Sequence, residues 1–226
     1  MHIPDGFIST PVSIATYAVS AATGGVAVYR AKKNFADRLV PMAGVCAAFI
    51  FAAQMMNFPI AAGTSGHFLG AVLACVLLGP SAGFWVMTLV LAVQALLFAD
   101  GGITALGANV MNMGLIGGIV IYFIMMGVLK LLPKNKKIFL GTVAVASWLS
   151  VVLAAAVCSL ELAFSGTIPF RIVFPAMTAT HALIGIGEAL ITTAVTAYVL
   201  SARPDLVFAW SEDPTFGLNR EVLADG

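Results

Sequence analysis

Charge is what this chain has least of. Only 9% of its 226 residues are Asp, Glu, Lys or Arg, while 61% are hydrophobic and the mean hydropathy is +1.03. Soluble domains carry about 25% charged residues, so a water-soluble globular fold is excluded and an all-α integral membrane protein is expected. The net charge of +1, with basic residues scattered rather than striped, excludes a nucleic-acid surface. Cysteine is scarce too. Cys46, Cys75 and Cys158 stand singly in apolar segments, which excludes a disulfide framework and a CxxC zinc site and leaves small packing residues. No GxxxxGK[ST] loop is present, so the chain is not itself an ATPase, and no HExxH pairing supports a metallohydrolase. There is no internal repeat and no low-complexity segment.

The start of the chain lacks the marks of a secretory signal. Residues 1–11 (MHIPDGFISTP) have neither a basic n-region nor an apolar h-region. Met1 is therefore expected to be the mature first residue, retained because histidine is too bulky a second residue for its removal.

What is abundant is long apolar runs. They fall at roughly 12–29, 41–57, 67–79, 81–98, 109–132, 138–160 and 176–200, each close to the length needed to cross a core of about 30 Å. Seven transmembrane helices are predicted, the third short and cut from the fourth by Gly79-Pro80-Ser81. The positive-inside rule tests the count. Arg30, Lys32, Lys33 and Arg38 lie between the first two runs; Lys130, Lys134, Lys136 and Lys137 lie between the fifth and sixth; Arg203 and Arg220 follow the last. With seven spans all ten share one side and only Arg171 is opposite, giving an outside N-terminus and a cytoplasmic C-terminus. Residues 1–202 form one membrane domain, and 203–226 a short cytoplasmic tail. The connections at 58–66, 99–108 and 161–175 then face outward with Met1 and His2. Glycines inside the runs (Gly24-Gly25, Gly117-Gly118, Gly185, Gly187) suit close helix packing.

Met1-His2 carries the chemistry. An unmodified α-amine, the His2 amide nitrogen and the His2 imidazole can close around one cation as fused five- and six-membered chelate rings. A planar set of nitrogens suits Ni(II) or Cu(II) better than tetrahedral Zn(II) or octahedral Mg(II). One position of the plane is left, and the only other histidines are His67 and His181. His67 is favoured, because Gly63 and Gly66 flank the Thr64-Ser65 pair before it; His181 then stands behind the ligands. Each is otherwise a structural hydrogen-bonding residue. Asp5 either reaches the His2 ring or the amine, or merely builds the Pro4-Asp5-Gly6 turn. Gln54 with Asn57, Gln94, and Asn109 with Asn112 are carboxamides that either surround the ligands or knit helices together. Glu188, the one carboxylate deep in a predicted span, lies on the face of His181 and is a hydrogen-bonding or proton-relay residue. The methionine pairs (Met55-Met56, Met111 with Met113, Met125-Met126) form no one-face stripe and read as core filler rather than a Cu(I) path.

Three stretches then resemble a known family. MHIPDGFIS at the start, GTSGHFLGA at 63–71 and HALIGIGEALIT at 181–192 are similar to the nickel/cobalt substrate-binding S components of energy-coupling factor transporters, the NikM/CbiM family. The resemblance runs to Ala202-Arg203-Pro204-Asp205-Leu206. It implies a six-helix core with an added N-terminal helix. It also implies Ni(II), with Co(II) as alternative, held by the Met1 amine, the His2 amide and imidazole nitrogens, and the His67 imidazole. Partners implied are a transmembrane coupling subunit, cytoplasmic ATPases and a small accessory membrane subunit, in a bacterial or archaeal cell membrane, with toppling of the S component as the transport step. Ala18 and Ala22 are candidates for docking to the coupling subunit. Two other classes compete: a secondary metal transporter driven by protons through Glu188 and His181, and a membrane metalloenzyme, which would need an open coordination position and a general base.

Overall fold

Backbone N–H and C=O groups have no water to pair with inside a bilayer, so uncharged apolar runs satisfy them internally and become helices. The computed structural model describes residues 1–34, 40–56, 58–60 and 64–211, with the backbone alone for 31–34, 58–60, 64 and 65. In order come α1 (Thr10–Asn34), α2 (Val40–Gln54), a two-stranded ribbon of β1 (Phe58–Ile60) and β2 (Thr64–Gly66), α3 (Ala71–Leu78) and α4 (Pro80–Leu97). A continuous helix follows, made of α5 (Leu106–Val110), a π-helical stretch (Met111–Val120) and α6 (Ile121–Leu129). α7 (Lys136–Phe164), α8 (Phe170–Ala202), a 3₁₀ turn (Pro204–Leu206) and α9 (Phe208–Ser211) complete the chain. The ribbon is antiparallel, with Pro59 opposite Ser65.

Among the described residues, five helical stretches are long and apolar enough to cross a membrane: Thr10–Arg30, Pro80–Leu97, Leu106–Leu129, Lys136–Phe164 and Phe170–Ala202. α2, at 15 residues, is shorter. The run expected as a helix over 67–79 is only half helical. Residues 67–70 are irregular, and α3 has eight residues, about 12 Å at 1.5 Å per residue. The breaker after it behaves as its residues require. Gly79 has φ 84°, a conformation costly for any residue with a Cβ, and Pro80 opens α4 with its missing N–H where no partner is needed. α8 begins six residues before the expected start and passes through Pro175, as membrane helices allow when neighbours cover the lost hydrogen bond.

All eight residues of α3 are buried, and α4, α7, α8, the π-helical stretch, α2 and α9 pack around it. Large apolar side chains instead face outward from the long helices, Ile14 and Tyr29 on α1 and Leu183, Leu190 and Tyr198 on α8 among them. Exposed apolar surface on this scale marks contact with something other than water, here the bilayer of a multi-pass membrane protein. At one end of the bundle the Lys136 ammonium donates to Ser201 Oγ at 2.7 Å, and Phe208 packs against Gly79. At the other end the N-terminal strand meets the 99–105 loop and Thr167.

Candidate metal centre

The first three residues are pulled inside the bundle. Met1 is 1% exposed, His2 6% and Ile3 2%, whereas Pro4, Asp5 and Gly6 are at the surface. Pro4 biases Ile3 toward an extended backbone, so the strand runs straight in. Asn109 grips it from α5: the Ile3 N–H donates to Asn109 Oδ1 at 2.9 Å, and Asn109 Nδ2 donates to the Ile3 carbonyl at 3.1 Å. That carbonyl also accepts from the Gly102 N–H at 2.8 Å. Only glycine fits there, since a Cβ on Gly102 would lie 2.3 Å from the Asp5 nitrogen. Asp5 Oδ1 accepts from the Thr104 N–H (2.7 Å) and hydroxyl (2.5 Å), and the Thr167 hydroxyl donates to the Phe7 carbonyl at 2.5 Å. Those contacts with Thr104 hold the Asp5 carboxyl below its ordinary value.

Inside, the His2 ring lies on the His67 ring, centroids 4.3 Å apart and planes 13° from parallel. His2 Nδ1 is 3.3 Å from Asp100 Oδ1. His67 Nδ1 lies 2.6 Å from the Phe68 carbonyl, and His181 Nδ1 lies 2.8 Å from the Met177 carbonyl. A carbonyl only accepts, so in both rings Nδ1 carries the hydrogen and Nε2 keeps its lone pair. Those Nε2 atoms are buried with no hydrogen-bond partner. A bare lone pair without a partner in a dry interior is costly, and a cation is one group that would satisfy it.

Burial keeps the nitrogens of the first two residues uncharged. Burial, far outweighing the nearby Cys158 and Asp100, pushes the Met1 amine from 8.0 down to about 5. The His2 imidazole is lowered, by burial first, with Asp100 opposing. At neutral pH the amine and the His2 imidazole are lone-pair donors rather than cations, the state a metal requires.

Among the described residues, no three His, Cys, Asp or Glu side chains converge to hold a metal ion. The structure brings Met1, His2 and His67 together, with Gln94 (0% exposed) and Asp100 beside them. His181 is within electrostatic reach of His67 and of the amine. Asn109 holds the strand, while Asn112 Nδ2 donates to Glu161 Oε2 at 2.5 Å. Gln54 and Glu188 lie behind His67, each bonded to its backbone strap. Asn57 lies outside the described residues.

Two carboxylates escaped the sequence reading. Asp100 is the one beside His2, and its signal was position, next to Gly101-Gly102 in an outward loop. Glu161 was taken to follow a span ending at residue 160, but α7 runs to Phe164 and Glu161 is buried within it. Glu188 is thus not the one carboxylate deep in a span.

Comparison with known proteins agrees with this architecture. Residues 2–206 match the family model CbiM, described as cobalt uptake substrate-specific transmembrane region. A protein of Haloquadratum walsbyi, provisionally named a metal transport protein, is 41% identical over 94% of this chain and 96% of its own. One of Archaeoglobus fulgidus, provisionally named fused nickel transport protein NikMN, is 40% identical over 92% of this chain and 68% of its own. The crystal structure of a truncated transition metal transporter superposes with a TM-score of 0.83 at 32% identity, covering 89% of this chain and 99% of that one. The buried N-terminal strand, the apolar exterior and this match over nearly the whole chain lead to one statement: the chain belongs to the CbiM family and is a metal transport protein of the CbiM/NikM type.

Proposed function

We propose that this chain is the substrate-binding component of an energy-coupling factor importer and that it captures Ni(II) from the extracytoplasmic side. The ion is held by the Met1 amine, the deprotonated His2 amide, His2 Nδ1 and His67 Nε2. The observation that carries this is the buried Met1-His2 strand with its imidazole against that of His67. The amide and Nδ1 of His2 are the pair that closes a six-membered ring, so Nδ1 leaves the Asp100 carboxylate when metal enters. His67 swings out of the stack until Nε2 enters the plane. The dication and one amide anion leave a single positive charge, which Asp100 offsets. Gln94 is the partner within reach of the His2 ring.

Seven spans with an outside N-terminus would put the Met1-His2 strand on the extracytoplasmic side. The strap at His67–Gly70 and the eight residues of α3 would together serve as the third crossing. The basic residues then share the cytoplasmic side with the Lys136–Ser201 contact. Transport needs a coupling subunit and cytoplasmic ATPases, with an accessory membrane subunit in some assemblies, in a prokaryotic cell membrane.

Cobalt(II) is the second reading. It is favoured by the family's description and by a carboxylate 3.3 Å from the donor nitrogen, which could complete the higher coordination that Co(II) accepts. The proton-driven alternative is weakened because both Glu188 oxygens already accept from backbone N–H groups. One added glycine before Met1, verified by mass spectrometry, tests the claw. Calorimetry should find high-affinity Ni(II) binding abolished; unchanged affinity would overturn the proposal.

A further inference from the structure

His67 does not sit on a helix. It stands on a four-residue strap, and a donor on irregular backbone needs something else to hold it. The Leu69 N–H donates to Glu188 Oε2 at 2.6 Å and the Gly70 N–H to Glu188 Oε1 at 2.8 Å. From the opposite direction Gln54 Nε2 donates to the Leu69 carbonyl at 2.7 Å. One peptide, two residues from His67, is thus pinned on its N–H by α8 and on its C=O by the last residue of α2. Gln54, Leu69 and Glu188 are all at most 1% exposed.

A plain helix cap would not look like this. Gly70 precedes α3 with no side-chain cap of its own, and a local Ser, Asp or Asn would supply an acceptor without burying a distant charge. Burying a carboxylate is expensive unless each oxygen is hydrogen-bonded. Here both are, by backbone 118 and 119 residues away in sequence. Such an arrangement fixes the placement of the strap rather than only satisfying its donors.

From this geometry we infer that Glu188 and Gln54 are positioning residues for the metal, acting through the strap that presents His67. The inference rests on His67 being the fourth donor. It adds that the fourth nitrogen is set by two helices, so displacement of α2 or α8 withdraws His67 and leaves a three-nitrogen claw that holds metal more weakly. Outer partners of metal ligands commonly carry about 10–100-fold in affinity.

The experiment uses the full chain in detergent, with Ni(II) chloride as probe. It compares wild type with Glu188→Gln, Gln54→Leu, His67→Ala and, as a packing control on α8, Thr196→Val. Calorimetry, the visible d–d band of bound Ni(II) and apo-protein thermal unfolding are read together. The expected result is a Kd raised at least tenfold in Glu188→Gln and Gln54→Leu. Their d–d band should shift toward that of His67→Ala, while Thr196→Val keeps the wild-type Kd and band. A wild-type band and Kd in Gln54→Leu would overturn the inference, whether or not Glu188→Gln folds. So would equal loss in Thr196→Val. If His67→Ala itself binds as wild type, the four-nitrogen reading falls first and this inference with it. If only His67→Ala is impaired, this inference falls alone.

Discussion

At the scale of single residues, the site depends on very little bulk and very little charge. The strand can enter only because Gly102 presents no side chain to the Asp5 nitrogen, 2.3 Å from where a Cβ would stand. Replacing Gly102 by alanine should push the strand outward and raise the Ni(II) Kd about 5- to 150-fold, from about 1–3 kcal/mol of overpacking. Calorimetry measures it, with circular dichroism expected to stay helical. Burial also sets a pH dependence. The Met1 amine titrates near 5 when folded against 8.0 when exposed, so between those values the unfolded chain holds a proton that the folded chain does not. Stability of the metal-free protein should therefore rise as pH goes from about 5 to 8 and be lost as pH falls back through that window. The lowered His2 adds to the same trend below 6.5. Thermal unfolding in detergent across this range, without metal, is the check; a flat profile would mean that the amine is not buried.

Helices set the site at the next scale up. α3 is too short to cross anything alone, yet it is the most enclosed helix, and its contact with α4 is closer than side chains usually permit. A Cβ on Gly83 would come within 2.8 Å of the Cys75 backbone nitrogen. Gly83→Val should thus splay the α3–α4 hairpin and destabilise the protein by about 1–3 kcal/mol, read as a lowered thermal midpoint. It should affect stability more than metal affinity, because the hairpin contact lies beyond the strap that carries His67. The π-helical stretch at Met111–Val120 begins two residues after Asn109, past Val110. π-turns recur at functional sites because they realign side chains along a helix. Here Asn112, within the stretch, donates to Glu161, while Asn109, on α5 just before it, holds the strand.

For the whole molecule, the proposed uptake rests on orientation. The native cysteines are all buried, so a single introduced cysteine can report sidedness without removing them. Lys134→Cys, in the turn between α6 and α7, should react with an impermeant maleimide only from the cytoplasm. Ser165→Cys, between α7 and α8, should react only from outside. Labelling of both from the same side would break the seven-span topology, and labelling from exchanged sides would invert it. The match to the CbiM family over residues 2–206 belongs to this scale too, since it concerns the fold as a unit.

Sequence alone was enough for whatever depends on composition and order. The scarcity of charge forced a membrane fold, the apolar runs located the helices, and Gly79-Pro80 marked their sharpest break. Met1, His2 and His67 stood out because nitrogen donors are rare in such a chain, so each is conspicuous. Tertiary structure decided what depends on approach. Nothing in the order of residues says that Asp5 turns to Thr104 while Asp100 faces His2, or that residues 67–70 stay out of the helix. Nor does it say that a carboxylate on α8 reaches across the bundle to hold them there. Those outcomes follow from which backbone donors are left without partners after the helices pack, and that is known only when the whole bundle is assembled.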